Sequence, residues 1–252
     1  MRRLHIIMPM AGEGSRFRDA GWSTPKPLIE LMGKPLFVRA IESVKLEGTL
    51  MKYSFIVRQE HIDKYGIDKS IKELLPEANV FSVQRTTRGA VETCLMAESV
   101  IADDDAVVVM DCDLEFESPE YRRLISEALL EEPDKARGGA LVSFESNLPK
   151  YSYAEIDENT GLVKRTAEKE VISSHALCGA YFFSSGREFK SAAHRLLDEP
   201  VMQKPEFYVS LLYNYLLQDG SPVYLANMNL YKSYGTPEEL ALYSGAINSH
   251  SL

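Results

Sequence analysis

A strand that runs directly into a glycine turn places the strongest constraint on the fold of this chain. The apolar run from Leu4 to Met10 is long enough for one buried strand, and it breaks at Ala11-Gly12-Glu13-Gly14-Ser15-Arg16. The two glycines let the backbone turn tightly and bring its N–H groups close to a ligand. Arg16 and Lys26 add two cations to the same loop. We therefore predict a triphosphate-binding loop, in which the nucleotide-binding residues are Ala11, Gly12, Gly14 and Ser15.

The spacing of this loop excludes two familiar nucleotide-binding motifs. Phe17 occupies the position at which the dinucleotide fingerprint has its third glycine, and no Gly-Lys-Ser/Thr sequence follows, as a Walker loop requires. An ordinary surface turn with solvated Arg16 and Lys26 is the alternative interpretation. The two prolines of Pro25-Lys26-Pro27 stiffen the chain where it leaves the loop. The glycine turn, Arg16 and this string together favour phosphate binding over an ordinary surface turn.

Strand and helix patterns alternate along the first half of the chain. Strands are predicted at 4–10, 53–57, 80–83 and 106–110, and helices at 36–46, 60–75, 89–100 and 121–130. The uninterrupted apolar run at 106–110 is typical of a strand that is covered on both faces. This alternation predicts an α/β fold with a Rossmann-like, mixed but mostly parallel sheet flanked by helices.

The pattern changes from residue 140 onward. Short strands are predicted at 140–144, 153–157, 161–165, 177–183 and 222–227, and helices at 186–197, at 206–218 and from Pro237. They indicate a smaller β extension that binds a second substrate, the acceptor. Because no linker or repeat interrupts the chain, we predict a single domain over 1–252, with a nucleotide-binding half at about 1–135 and an acceptor-binding half at about 136–252.

The charge balance limits the partners of the protein. The chain carries 28 Lys and Arg against 37 Asp and Glu, a net charge of -9, so we expect no nucleic-acid or membrane partner. A few cations in a cleft are still sufficient for a small anionic substrate. The three cysteines have no metal-ligand spacing, and no stretch resembles a signal peptide or a membrane span. We expect buried thiols and a cytoplasmic location.

Two aspartates follow the apolar run at 106–110. Asp111 and Asp113 are two residues apart, so both carboxylates are expected on one face at the carboxyl end of a central strand. Converging carboxylates repel one another unless a cation lies between them, and a triphosphate normally carries Mg²⁺. We predict a magnesium site at Asp113 and Asp111. Capping of a turn is the alternative role for either side chain.

The loop at 11–16 together with Pro25-Lys26-Pro27 resembles the signature of the sugar-phosphate nucleotidylyltransferases (NDP-sugar pyrophosphorylases), approximately Gly-x-Gly-Thr/Ser-Arg followed by Pro-Lys-Pro. The resemblance extends from Ile6 to Leu240. It implies a nucleotidyltransferase fold of the GT-A-like type, and Asp113 as the aspartate that binds the catalytic magnesium. It also implies an NTP and a sugar 1-phosphate as substrates, joined to give a nucleotide sugar and pyrophosphate.

Further positions of the family match this sequence. Gln84 and Gly89 reproduce a Gln-x4-Gly spacing that reads the nucleobase in the similar enzymes, and an amide can satisfy uracil, thymine or cytosine. The spacing therefore favours a pyrimidine nucleotide, although a capped polar loop explains it equally well. The resemblance also implies a set of acceptor-binding residues: Tyr153, Glu168, Lys169, Gly179 and Glu206, the last of which is predicted to open a helix.

One departure from the family pattern concerns the metal. The string Tyr231-Lys232-Ser233-Tyr234-Gly235-Thr236-Pro237-Glu238 resembles the family's Trp-x-Asp-x-Gly-Thr-Pro-Glu, but Ser233 replaces the aspartate that is a second magnesium ligand. A hydroxyl is a far poorer magnesium ligand than a carboxylate. Either Asp111 compensates, or one carboxylate with phosphates and water holds the metal, or activity is weak.

The predicted chemistry is nucleotidyl transfer. Lys26 is expected to stabilise the α-phosphoryl oxygens, Arg16 the departing pyrophosphate, and Asp113 the position of Mg²⁺. Three alternatives stay open: a cytidylyltransferase acting on a non-sugar phosphate such as phosphocholine, a GT-A-like glycosyltransferase, and a non-catalytic module that binds a nucleotide sugar. A homodimer is our expectation for the assembly.

Overall fold

The computed structural model describes residues 2–133, 135–198 and 206–244. The first half of the fold contains six strands and five α-helices. In chain order these are β1 (Leu4–Met10), α1 (Ser15–Asp19), β2 (Glu30–Leu31), β3 (Lys34–Pro35), α2 (Leu36–Val44), β4 (Met51–Arg58), α3 (Gln59–Tyr65), α4 (Ile67–Leu74), β5 (Asn79–Val83), α5 (Ala90–Leu95) and β6 (Ala106–Met110).

The second half adds seven strands and four α-helices among the described residues. These are β7 (Leu114–Glu117), α6 (Pro119–Ala128), β8 (Gly139–Glu145), β9 (Ser152–Ile156), β10 (Val163–Glu168), β11 (His175–Phe183), α7 (Gly186–Asp198), α8 (Leu212–Gln218), β12 (Val223–Asn227), β13 (Leu230–Ser233) and α9 (Pro237–Ala241). Short 3-10 turns lie at Lys26–Leu28, Glu98–Val100 and Val209–Leu211.

A nine-stranded sheet organises the molecule. Strands β6, β1, β4 and β5 are parallel neighbours, and β11 pairs antiparallel with β6 and leads to β9 and β10. Residues of β1 alternate between two buried cores, with Ile6 and Met8 in one and Ile7 in the other. Both faces of β1 are therefore covered, which confirms the predicted α/β fold with a mixed sheet flanked by helices.

A small two-stranded sheet of β7 and β13 was absent from the sequence-based expectation. Its register pairs Ser233 with Leu114, and the Tyr234 N–H donates to the Asp113 carbonyl at 2.7 Å. Each strand has only four residues, and its partner is more than a hundred positions away in sequence, so neither gives a strong local pattern. The pairing brings the segment 231–238 directly beside the two aspartates.

Three helix predictions differ from the structure in their bounds. The helix predicted at 60–75 is divided into α3 and α4 by Gly66, which adopts a left-handed conformation with φ of 61°. The helix predicted at 89–100 ends at Leu95, and a 3-10 turn follows. The prediction that Glu206 opens a helix is wrong, because 206–208 are not helical and regular structure begins at Val209.

The helices and the cysteines of the structure can be compared with the expectations from the sequence. Among the residues that the structure describes, no helix combines the length and the apolar character that crossing a bilayer requires. Cys94, Cys112 and Cys178 are free and buried, as the sequence predicts.

Candidate active site

The predicted phosphate loop lies at the carboxyl end of β1. Gly14 has a φ of 61° and caps α1, a left-handed conformation that a glycine adopts without strain. A side chain at Gly12 would meet no protein atom within 4 Å, so packing within the protein does not require a glycine there. The open space beside Gly12 therefore leaves room for a ligand to approach the backbone.

The Lys26 side chain crosses from this loop to the end of β6. Its Nζ donates to Asp113 Oδ2 at 2.7 Å, and the two side chains are 26% and 19% exposed. Burial disfavours the charged ammonium, but the neighbouring acidic groups, Asp113 foremost, together with the hydrogen bond to Asp113, outweigh this effect and raise the pKa of Lys26 above its usual value. The buried prolines on both sides, Pro25 and Pro27, fix the backbone that carries this cation.

Asp111 lies against the backbone of β11. Its N–H donates to the Gly179 carbonyl at 2.9 Å, and a Cβ atom at Gly179 would overlap the Asp111 carboxylate. Asp111 is exposed at the cleft, but the protein packed around its carboxylate reduces hydration, and this effect first, and then the negative charge of Asp113, raise the pKa of Asp111 above its usual range. Within the described part of the chain, its carboxylate has no hydrogen-bond or ion-pair partner. Gly179 therefore provides the space for an aspartate whose charge is not neutralised by a partner.

Two clefts meet at the pair formed by Lys26 and Asp113. The first, which we call the loop cleft, has a volume of about 390 Å³ and is lined by Gly12, Gly14, Trp22, Lys26, Arg58 and Cys112. The second, the carboxylate cleft, has a volume of about 360 Å³ and is lined by Arg16, Asp111, Asp113, Glu168, Glu206 and Glu239. Asp111 and Asp113 face one cleft while Cys112 faces the other, as their alternation along the chain predicts.

Arg16 differs from the other loop residues in its surroundings. It is exposed at the carboxylate cleft, and none of the described residues forms an ion pair with its guanidinium. Ala11 is buried, and its carbonyl accepts a hydrogen bond from Arg58 Nη1 at 3.3 Å, whereas Ser15 is exposed. The loop thus presents a cation that has no ion-pair partner among the described residues, at a cleft whose charged residues are mostly acidic.

Glu168 is the most buried carboxylate of the carboxylate cleft. It is 5% exposed, and Oε2 accepts hydrogen bonds from the hydroxyls of Ser152 and Ser210. Glu206 also lines this cleft and is exposed. Both residues line the cleft, and carboxylate oxygens are acceptors that a polar ligand can use.

Two of the predicted acceptor-binding residues lie outside the lining of the carboxylate cleft. The Tyr153 side chain is fully buried, and its hydroxyl donates to the Leu148 carbonyl at 2.8 Å. Lys169 has an exposed side chain whose Nζ donates to the Tyr208 hydroxyl at 2.6 Å and lies over that ring. Lys169 therefore contacts Tyr208, which does line the cleft, and its predicted contact with an acceptor stays a prediction.

The loop predicted to read the nucleobase lies beside the phosphate loop. Thr86 Oγ1 donates to Glu13 Oε1 at 3.2 Å, which links the two loops. Gln84 is exposed and lines neither of the two clefts. Gly89 is buried, and a Cβ atom there would overlap the backbone of Phe207, so packing alone explains this glycine. The predicted contact of Gly89 with a base stays a prediction.

The carboxylates at this site fit a metal ion that is bound by only one or two protein side chains. No group of three His, Cys, Asp or Glu side chains in the described residues is arranged to hold a metal ion. Magnesium, however, commonly uses one or two carboxylates together with substrate phosphates and water. Asp113 and Asp111 line the same cleft, and the Asp111 carboxylate has no hydrogen-bond or ion-pair partner among the described residues, so its oxygens are open to a cation there.

Comparison with known proteins identifies the family of this chain. The Nucleotidyl transferase family matches residues 4–238, which confirms the resemblance seen in the sequence. The chain belongs to this family.

Named relatives are sugar-phosphate nucleotidylyltransferases. The mannose-1-phosphate guanylyltransferase catalytic subunit beta of Drosophila melanogaster is 26% identical over 256 residues, which cover 95% of this chain and 66% of that protein. The UTP–glucose-1-phosphate uridylyltransferase of Mycoplasma pneumoniae is 24% identical over 248 residues, covering 86% of this chain and 82% of that protein. This nucleotidyl transferase thus spans just under two thirds of the Drosophila relative.

Solved structures share the fold. The nucleoside-diphosphate-sugar pyrophosphorylase of Vibrio cholerae RC9 superposes with a TM-score of 0.80 at 24% identity, covering 95% of this chain and 99% of that one. A UDP-glucose pyrophosphorylase complexed with UDP-glucose gives a TM-score of 0.73 at 18% identity and covers 98% of each chain. The GT-A-like fold expected from the sequence is therefore confirmed for this nucleotidyl transferase.

Some residues of the site were not found by the sequence reasoning. Lys150, Tyr208, Tyr231 and Glu239 all line the carboxylate cleft. Glu239 directly follows the matched Gly-Thr-Pro-Glu string, but only the turn into α9 brings it back towards Ser233. The Thr-x-x-Glu spacing of Thr236 and Glu239 is that of a capping box, in which the glutamate turns back to the start of the helix, so the sequence did contain a signal for this return.

Proposed function

We propose that this chain transfers a nucleotidyl group from an NTP to the phosphate of a small acceptor and releases pyrophosphate. The observation that carries the proposal is the contact between Lys26 and Asp113. These side chains come from positions 87 residues apart and meet at 2.7 Å where the two clefts join. Nucleotidyl transfer needs a cation and a metal-binding carboxylate beside the phosphate-binding loop. Lys26 and Asp113 are proposed as this pair.

The chemistry requires little covalent help from the protein. An oxygen of the acceptor phosphate attacks the α-phosphorus, the bond from that phosphorus to the bridging oxygen breaks, and pyrophosphate leaves with the electron pair. Catalysis then depends on in-line positioning and on neutralising the developing charge. Lys26 is placed to neutralise the α-phosphoryl oxygens, and Arg16, which lacks an acidic partner among the described residues, is free to bind a phosphate.

Asp113 and Asp111 are the residues that would hold magnesium. When bound, this ion neutralises phosphate charge and helps to orient the phosphates. The protein itself contributes the fixed carboxylates, the Lys26 ammonium and the open backbone at Gly12.

A sugar 1-phosphate is the proposed acceptor. Glu168 and Glu206 line the carboxylate cleft and are suited to accept hydrogen bonds from sugar hydroxyls. The names of the relatives from Drosophila and Mycoplasma include a sugar 1-phosphate, which supports this choice. For the nucleotide we propose a pyrimidine, on the exposed Gln84 amide; the relatives' names include both guanylyl and uridylyl transfer.

A second candidate acceptor is a phosphate ester that carries a cationic group, such as phosphocholine. The carboxylate cleft contains more carboxylates than cations, and Tyr151, Tyr181, Tyr208 and Tyr231 also line it. Lys150 already lies over the Tyr151 ring at 4.9 Å, and Lys169 lies over the Tyr208 ring at 4.7 Å. Aromatic faces and carboxylates together favour a cationic group.

The test is a matrix of pyrophosphate release. Each of the four NTPs and dTTP is incubated with Mg²⁺ and either a sugar 1-phosphate or phosphocholine. We expect release that requires both substrates, and the most active pair identifies the nucleobase and the acceptor. Turnover only with a preformed nucleotide sugar and a sugar acceptor would instead support a glycosyltransferase. Tight NTP binding without any turnover would support a binding module.

A further inference from the structure

The end of strand β4 brings a cation to the loop cleft. Arg58 is the last residue of β4, which pairs with β1 in parallel, so its side chain lies beside the glycine turn that follows β1. Its Nη1 donates to the Ala11 carbonyl and to Thr86 Oγ1, both at 3.3 Å. Both acceptors are neutral, and no carboxylate of the described residues forms an ion pair with the half-buried guanidinium. Among those residues, neutral groups thus orient Arg58, and none of them neutralises its charge.

His61 lies close to Arg58, in the first turn of α3. Its Nδ1 is buried and has no hydrogen-bond partner among the described residues. Burial first, and then the charge of Arg58, lower the pKa of His61 below its usual value of 6.5, so the ring is neutral at pH 7 and carries one N–H donor. The Tyr65 ring, with its centroid 6.1 Å from that of His61, packs against it. Arg58 and His61 both line the loop cleft, and neither lines the carboxylate cleft.

The two acidic residues of the loop cleft have donors of their own. Glu60 pairs with Lys64 at 2.7 Å, and Glu13 accepts a hydrogen bond from Thr86 at 3.2 Å; both glutamates are exposed. The lining of the loop cleft includes three lysines and arginines against these two carboxylates, whereas that of the carboxylate cleft includes two against five. The loop cleft is therefore the more suitable of the two for a polyanion.

The direction of the proposed reaction places the leaving group in the loop cleft. In that reaction the acceptor occupies the carboxylate cleft, and the α-phosphorus lies at Lys26 and Asp113, where the two clefts join. In an in-line displacement, the attacking and leaving oxygens are on opposite sides of the phosphorus. The bond to the bridging oxygen therefore breaks on the side of the loop cleft, and the pyrophosphate that leaves with the electron pair carries its negative charge into that cleft.

We propose that Arg58 and His61 bind the terminal phosphates of the NTP and hold the pyrophosphate as it leaves. The inference rests on the proposed function. A guanidinium presents a planar fork of N–H groups that matches two phosphate oxygens, and among the described residues only Nη1 of Arg58 has hydrogen-bond acceptors. The open backbone at Gly12 leaves space for phosphates in the same cleft. Arg58 thus adds to the contribution of Arg16, which lines the other cleft.

The competing account gives Arg58 only the task of linking the phosphate loop to the loop at 84–89. Its hydrogen bonds to Ala11 and Thr86 serve that purpose. This account supplies no counterion for Arg58 and no partner for His61 Nδ1 within the described part of the chain. The two accounts differ in whether the affinity for an anion falls when the charge of Arg58 is removed, and in whether it falls when only the link to Thr86 is removed.

The test measures the binding of inorganic pyrophosphate, in the presence of Mg²⁺, to the full chain by isothermal titration calorimetry. We expect Arg58→Gln to weaken binding by about tenfold or more, because a charge-assisted hydrogen bond is lost. His61→Phe keeps an aromatic ring against Tyr65 and should weaken binding by about fivefold. Arg85→Gln is the matched control, because Arg85 is exposed and lines neither cleft, and its affinity should stay within about twofold.

Thr86→Val separates the proposal from the competing account. This variant removes the hydrogen bond from Arg58 to the loop at 84–89 but keeps the guanidinium, so pyrophosphate binding should stay within about threefold of the unsubstituted protein. A folded Thr86→Val protein that loses as much affinity as Arg58→Gln would show that Arg58 acts by linking the loops.

Three further results would overturn the proposal: unchanged pyrophosphate binding in Arg58→Gln, an equal loss in Arg85→Gln, or no binding of pyrophosphate by the unsubstituted protein. The thermal midpoint of each variant reports whether it is folded. If Arg58→Gln does not fold, His61→Phe decides, because a fivefold loss supports the proposal and unchanged affinity contradicts it.

The outcome can be separated from that of the proposed function. If no NTP and acceptor pair releases pyrophosphate, but pyrophosphate binding still depends on Arg58 and His61, the inferred site stands and the proposed reaction fails. If pyrophosphate is released but Arg58→Gln binds it as tightly as the unsubstituted protein, the proposed reaction stands and the assignment of Arg58 fails.

Discussion

At the scale of single residues, Gly179 shows how one backbone position controls a carboxylate. Its φ is 93°, and the space where a side chain would lie is filled by the Asp111 carboxylate. The sequence-based expectation gave Gly179 a contact with the acceptor. The structure gives it a further role, because Asp111 can reach its place in the cleft only if position 179 has no side chain.

Substituting Gly179→Ala should therefore lower both stability and activity. Strain at the positive φ should cost about 1–2 kcal/mol of unfolding free energy, and displacement of Asp111 should lower pyrophosphate release about tenfold or more. Gly161→Ala is the matched control, because its φ is 72° but no atom lies within 4 Å of its Cβ position. Urea unfolding and initial rates are measured for both. Equal activity in the two variants would show that the position of Asp111 does not matter.

At the scale of elements, the pairing of β7 with β13 brings the carboxyl-terminal motif to the site. Glu115 on β7 stabilises this pairing through three hydrogen bonds. Its carboxylate accepts them from Lys232 Nζ at 2.6 Å, Arg39 Nη1 at 2.9 Å and the Tyr234 hydroxyl at 3.0 Å. Burial opposes its charged form, but these donors outweigh burial and lower the pKa of Glu115 below the usual value of 4.5.

Glu115→Gln should destabilise the fold by about 2 kcal/mol at pH 7, because Arg39 and Lys232 lose a partly buried partner. The folded state has the lower pKa, so the stabilisation by Glu115 is complete above pH 4.5 and is lost as the pH falls through the folded-state pKa. The difference in unfolding free energy between the unsubstituted protein and Glu115→Gln, measured by urea unfolding, should thus become smaller below pH 4.5. Glu127→Gln, which breaks an exposed pair with Arg123, should leave the free energy of unfolding nearly unchanged. A difference that does not change with pH would contradict this role.

Local patterns predicted the central strands β1 and β6 well, because both are rich in apolar residues, but they placed β10, whose sequence is VKRTAE, at 161–165 instead of Val163–Glu168. They also predicted that Asp111 and Asp113 lie on one face, because residues two apart on an extended chain point to the same side. They did not predict β7 or β13, since this pairing depends on contacts between segments that are far apart in sequence. Tyr153 shows the same limit: its position in the family motif does not reveal that its side chain is fully buried.

At the scale of the whole molecule, two clefts from different parts of the chain meet at one ion pair. The loop cleft is lined by the glycine turn after β1, and the carboxylate cleft by the residues after β6 and by β9, β10 and β11. The antiparallel pairing of β11 with β6 holds the two parts in one sheet. This arrangement lets two ligands approach the same ion pair, one from each cleft, as the proposed reaction requires.

The most direct test of this account is the rate of pyrophosphate release by Lys26→Ala, compared with Lys34→Ala. Lys34 forms an exposed ion pair with Glu42 at 2.7 Å, outside the residues that line the two clefts, and its removal should change the rate by less than about twofold. Removing Lys26 should lower the rate by about 100-fold or more while the protein remains folded. A folded Lys26→Ala protein that releases pyrophosphate at the rate of the unsubstituted enzyme would contradict the account.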